Sequence, residues 1–233
     1  MHQIKRFWLL IVLLILLGLF FYFDLNSYLS FASLNRHHTQ LQLWTMAHFT
    51  QAVLAFIGIY ILAVAISVPG AVFLTLTGGF LFGIIWGTLL VVFSATIGAV
   101  LVFLAVKSAL GNWLAGIAHS WVGCLRKGFQ KNAFSYMITL RLIPLFPFWV
   151  VNIVPAVLGV QLKTYVLATF LGIIPGSLVY VMVGKGLRHL FAQKQAPDLG
   201  IIFTPPILLP LIGLALLSLL PIFYQRYKER AHY

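Results

Sequence analysis

Arg141 stands in an apolar segment, Leu140-Arg141-Leu142-Ile143-Pro144-Leu145-Phe146-Pro147, with Asn152 and Pro155 following it. A guanidinium is permanently charged, and its planar fork of donors matches a phosphate or carboxylate in bidentate fashion. The chemistry on offer is therefore anion binding. A charge at bilayer depth costs at least about 2.5–3.5 kcal/mol, so such residues face a protein interior or a wet cavity. Pro144, Pro147 and Pro155 each remove a backbone donor, so the segment is not expected to run as one plain spanning helix. Broken backbone at that depth persists only where it is buried in protein or lines a cavity. The expectation is a re-entrant helical hairpin over residues 134–158 that carries the charge. Arg141, Pro144, Pro147 and Asn152 are its candidate substrate-contacting residues. A second role stays open for Arg141, a structural clamp on carbonyls freed by Pro144 and Pro147.

An earlier stretch has a similar layout. Val68-Pro69-Gly70 interrupts the chain, and an apolar run from Ala71 to Gly87 follows, with glycines at 78, 79, 83 and 87. Small residues at helical spacing let helices approach closely. A Pro-Gly break, a short arm, a bend at Gly78-Gly79 and a second arm also fit a hairpin over residues 68–87. Pro69, Gly70, Gly78 and Gly79 join the candidate substrate-contacting set. No strand precedes these glycines, so a dinucleotide-binding loop is excluded. Thr75, Thr77, Ser94 and Ser177 are further polar positions, fit either to line a path or to bond between helices. Lys107 ends an apolar run and suits a helix-end anchor that snorkels to the interface.

The elements that hold these residues are set by composition. Of 233 residues, 62% are hydrophobic and 8% charged, which places the chain among all-α polytopic membrane proteins. Expected spans run from Phe7 to Phe23, His48 to Ser67, Leu89 to Val106, Thr164 to Val183 with a break at Pro175-Gly176, and Ile201 to Tyr224. They make about five transmembrane helices, and the two re-entrant hairpins come in addition. A polar connection from Asp24 to Trp44 has room for one short interfacial piece, and Gly111 to Lys131 suits an amphipathic surface helix. The organisation expected is an N-terminal helix and connection (1–46), a core with both hairpins (47–190), and a C-terminal helix with a basic tail (191–233). Basic residues are spread over both ends and several loops, so charge leaves the membrane orientation open.

Several function classes recede. Fifteen Lys and Arg face three acids, Asp24, Asp198 and Glu229; the positives are dispersed among apolar runs, which suits anionic headgroups rather than a nucleic-acid face. Cys124 is the single cysteine, so no internal disulfide or redox pair is available. The seven histidines lie at span ends or in loops, and adjacent His37 and His38 would point to different helix faces, a poor metal pair. No Gly-x-Ser-x-Gly or His-Glu-x-x-His motif occurs, so no catalytic residue, metal or cofactor is expected and the chain is not read as an enzyme. Interrupted apolar segments at matching positions of two halves point to a transporter-like site in an inverted pseudo-repeat.

The ordered set Pro69-Gly70, Gly78-Gly79-Phe80-Leu81-Phe82-Gly83, Gly87, Gly98 to Lys107, Arg141-Leu142-Ile143-Pro144, Pro147, Asn152, Gly159, Gly172 and Pro175-Gly176 resembles the VTT-domain proteins. These are also called DedA-like or SNARE-associated Golgi proteins, and the likeness is greatest to the Tvp-type bacterial branch. It covers residues 50–190. The resemblance implies two re-entrant hairpins and movement of phospholipid or polyprenyl phosphate between leaflets, in a bacterial inner membrane. Its partners would be membrane lipids, anionic or phosphate-bearing, with homo-oligomers left open. Where the DedA branch has an acid after the first Pro-Gly, this chain has Ala71, which removes the carboxylate for proton coupling. Transport of a small ion or solute, and a non-transporting structural or regulatory role, are the alternatives.

Overall fold

Long runs of Leu, Val, Ile and Phe with few charges favour helix, and helix is what forms. A computed structural model of the protein describes residues 4–25, 30–68, 71–110, 121–143 and 146–192, with isolated positions between 204 and 216. The described helices are α1 (Ile4–Tyr22), α2 (Phe31–Ala47), α3 (Phe49–Ala65), α4 (Ala71–Leu110), α5 (Trp121–Leu142), α6 (Phe148–Val157) and α7 (Leu162–Ala192). No strand occurs among the described residues.

α1 and α3 follow the first two expected spans. α2 corrects the expected short interfacial piece, since it is a full helix of 17 residues. Ser30 starts it, accepting a hydrogen bond from the Ser33 amide at 3.2 Å, which satisfies one of the amides a helix start leaves unpaired. The expected helix over Gly111–Lys131 is helical from Trp121 onward; its first part lies outside the described residues, as does nearly all of the expected last span.

α4 folds back on itself at Gly83 (φ 74°, ψ −168°), a conformation essentially reserved for glycine. In a straight helix residues 78 and 87 would sit about 13 Å apart along the axis. Here a Cβ added to Gly87 would lie 2.8 Å from the Gly78 carbonyl oxygen. Residues 71–82 and 84–110 are thus two arms packed side by side. The bend expected at Gly78-Gly79 falls instead at Gly83. Gly78 and Gly79 serve close packing: a side chain at 78 would meet the Phe56 ring at 2.8 Å, and one at 79 would run into the Val181 carbonyl.

The second break is looser. α5 carries a non-helical residue at Asn132 (φ −133°, ψ 38°) and ends just past Arg141. Pro147 caps the start of α6 with an extended backbone, and Gly159 (φ 76°) turns the chain into α7. α7 runs unbroken for 31 residues through Pro175, which corrects the expected interruption there. Proline deletes one rung of the ladder, and apolar surroundings tolerate this when neighbours re-satisfy the freed carbonyl.

Among the described residues, two helical stretches, Ala71–Ala109 and Leu162–Leu187, are long and apolar enough to cross a membrane, with Phe7–Tyr22 and Phe49–Ala65 as shorter apolar helices. The fold-back at Gly83 means that the first of these is not a single straight rod. α4 and α7 pack most extensively. Their crossing is reciprocal: Gly79 faces the Val181 carbonyl, and Gly184 faces the Leu76 carbonyl. The core around it joins Phe56, Tyr60 and Val64 of α3, Val91 and Phe103 of α4, Met137 of α5 and Tyr165 of α7.

Candidate functional site

Arg141 occupies the last turn of α5, where chain direction and the break that follows aim it at α6 and α7. Its Nη2, with two protons, has three acceptors in reach, Asn152 Oδ1 at 2.8 Å, Thr169 Oγ1 at 3.1 Å and Tyr165 Oη at 3.2 Å. Asn152 comes from α6. Tyr165 and Thr169 sit four residues apart on α7, hence on one face. Gly172 continues that face, and a Cβ there would meet Arg141 Cβ at 2.7 Å. Glycine is what lets the arginine stem lie against α7.

Tyr165 ties this cluster to the second arm of α4. Its hydroxyl reaches the Ala99 carbonyl at 3.2 Å and Asn152 Oδ1 at 3.1 Å. With a single proton it donates to one of these at a time. Its ring stacks on Phe103 with centroids 4.3 Å apart, and the Arg141 guanidinium carbon lies 5.7 Å from the Tyr165 ring centre. Lys107 Nζ stands 5.5 Å over Phe103. The order Lys107, Phe103, Tyr165, Arg141 therefore links two cations through two aromatic faces.

All three hydrogen-bond acceptors around Nη2 are uncharged, and residues 25–197 contain no Asp or Glu. These bonds orient one edge of the guanidinium. Asn152 is fully buried; its Oδ1 serves Arg141, while its Nδ2 has no hydrogen-bond partner. An unmet buried amide costs about 1–3 kcal/mol, so an acceptor arriving there would be bound favourably. Guanidinium and amide together make a donor set for an anion's oxygens, and no acid–base or nucleophile pair accompanies it among the described residues.

Of the residues expected from sequence, Arg141 and Asn152 come together. Pro69, Gly70 and Pro144 lie outside the described residues. Pro147 is exposed at the start of α6, and Gly78 and Gly79 sit in packing contacts. Thr75 bonds Tyr60 at 2.9 Å, Thr77 bonds its own helix at the Phe73 carbonyl, and Ser94 is buried without a hydrogen-bond partner. Tyr165 and Thr169 were missed. The signal for them was a pair of polar residues four apart, in register with Ala168 and Gly172, on an otherwise apolar helix.

Residues 68–186, just over half of the chain, match the family model for the VTT domain. The chain belongs to the VTT-domain family. Transmembrane protein 41B of mouse and of human are each 30% identical to it over 182 residues, 76% of this chain. The zebrafish protein of that name is 30% identical over 192 residues, 81% of this chain and 66% of its own length. The chain spans 60% of the length of the mouse and human relatives. No solved structure matches. The match and the apolar helices make it an integral membrane protein of the VTT family, and the resemblance read from its glycines, prolines and Arg141 is borne out at that level.

Proposed function

We propose that this VTT-family protein moves phosphate-bearing lipids between membrane leaflets, with Arg141 and Asn152 contacting the headgroup. The observation that carries this is a guanidinium set inside the helix packing, its Nη2 oriented by Asn152, Tyr165 and Thr169. A headgroup crossing a bilayer needs a cationic, polar contact while its tails stay in hydrocarbon. The unmet Nδ2 of Asn152 adds a donor beside the guanidinium, and a phosphodiester has oxygens for both. Lys107, exposed at the end of the same aromatic series, gathers anionic headgroups at the interface. The protein acts as a path, without catalysis or cofactor, in the inner membrane of a bacterium as part of the Tvp-type branch, and its two folded-back segments enter from opposite faces. Anionic or phosphate-bearing lipids are its partners.

A structural role for Arg141 is supported by the same hydrogen bonds, which join α5, α6 and α7. Pure protein in vesicles containing phosphatidylglycerol labelled with a dithionite-sensitive fluorophore tests the reading. Lipid movement lets dithionite bleach the label from both leaflets. Bleaching confined to the outer leaflet, with ion flux in parallel vesicles, would favour an ion or solute transporter. Neither activity would favour a non-transporting membrane protein.

A further inference from the structure

A cavity lies away from Arg141. It has a volume of 770 Å³ and is enclosed by α1, α2, α3 and the first arm of α4, within the range of about 300–1,000 Å³ typical of small-molecule sites. Most of its wall comes from residues before the VTT match. The lining is graded. Leu16, Phe20, Leu62, Ala63 and Leu74 make a hydrocarbon interior, whereas Ser30, Ser33 and His37 gather on α2 at one edge.

We propose that this cavity binds one acyl chain of a phospholipid, with the headgroup at the α2 edge. Three observations select that occupant. Ile59 and Leu62 line the cavity yet are 55% and 54% exposed, so it opens sideways between apolar helices, where a membrane presents lipid tails. At the polar edge, His37 Nδ1 meets the Ser33 carbonyl at 3.0 Å, which directs Nε2 away from α2. The start of α2, with no acid in its first turn, favours a phosphate. The site rests on membrane placement and not on transport through Arg141, so either reading can fail alone.

The test uses the full chain in vesicles of phosphatidylethanolamine and phosphatidylglycerol, doped with phosphatidylethanolamine bearing a mid-chain diazirine. After photolysis, adducts are mapped by peptide mass spectrometry. Adducts should concentrate on peptides holding Leu62, Ala63 and Leu74 rather than on the outward Leu167 and Leu171 of α7. Ala63→Phe, which fills the cavity, should lower the cavity adducts by about tenfold. Leu62→Trp blocks the opening from an exposed position and should do the same if Ala63→Phe fails to fold. Equal labelling of cavity and α7 peptides means ordinary boundary lipid and overturns the proposal. Unlabelled cavity peptides mean the space is closed by protein, from this chain or a second copy, and overturn it too.

Discussion

Asn152 accepts the shortest of the hydrogen bonds from Arg141 and holds its own donors unmet beside it, so it is both partner and second contact. Asn152→Leu removes an acceptor from a charged donor, a loss of about 1.5–3 kcal/mol. It should lower the unfolding midpoint in detergent and also slow lipid movement. Tyr165→Phe keeps the stack on Phe103 and loses only hydroxyl bonds, so its cost should be smaller, about 1 kcal/mol. A Tyr165→Phe protein less stable than Asn152→Leu would contradict this ranking. At this scale Arg141 was legible because a charge in an apolar run stands out, and Asn152 because it lies eleven residues on. Tyr165 and Thr169 were not, being 24 and 28 residues away on another helix. Which polar residues of α7 face Arg141 depends on how α7 packs against α5.

Among the elements, the folded-back α4 carries the account of the core. Spin labels at Phe73 and Phe93 should lie far closer than the roughly 30 Å that twenty residues of straight helix would span; a distance near that value would contradict the fold-back. Gly83→Ala forces an alanine into a glycine-only region and should cost about 1–3 kcal/mol, read as a lower unfolding midpoint. Gly18→Ala, where an added Cβ meets nothing within 4 Å, should instead be neutral or stabilising. Four glycines at similar spacing advertised a close approach in the sequence, but not which one would turn. The answer came from neighbours: Phe56 and Val181 crowd positions 78 and 79, leaving Gly83 to take the unusual backbone. α2 was under-read because its polar and apolar residues show little helical periodicity, so the start at Ser30 was its better mark. Pro175 was over-read, since proline lowers the stability of a helix without always ending it.

For the whole molecule, the absence of Asp and Glu between residues 25 and 197 bears on energetics. A carboxylate proton relay has no group in that stretch, so lipid movement should proceed at the same rate with and without an imposed transmembrane pH gradient. Acceleration by the gradient would point to another proton carrier. The central claim is that Arg141, oriented by Asn152, Tyr165 and Thr169, is the headgroup contact. The direct measurement compares wild type with Arg141→Ala in vesicles, both first shown to be folded and monodisperse. The account predicts that Arg141→Ala bleaches the inner-leaflet label at least about tenfold more slowly, a loss of about 1.4 kcal/mol at the barrier. A folded Arg141→Ala protein that moves lipid as fast as wild type would contradict it, leaving Arg141 as a clamp between helices.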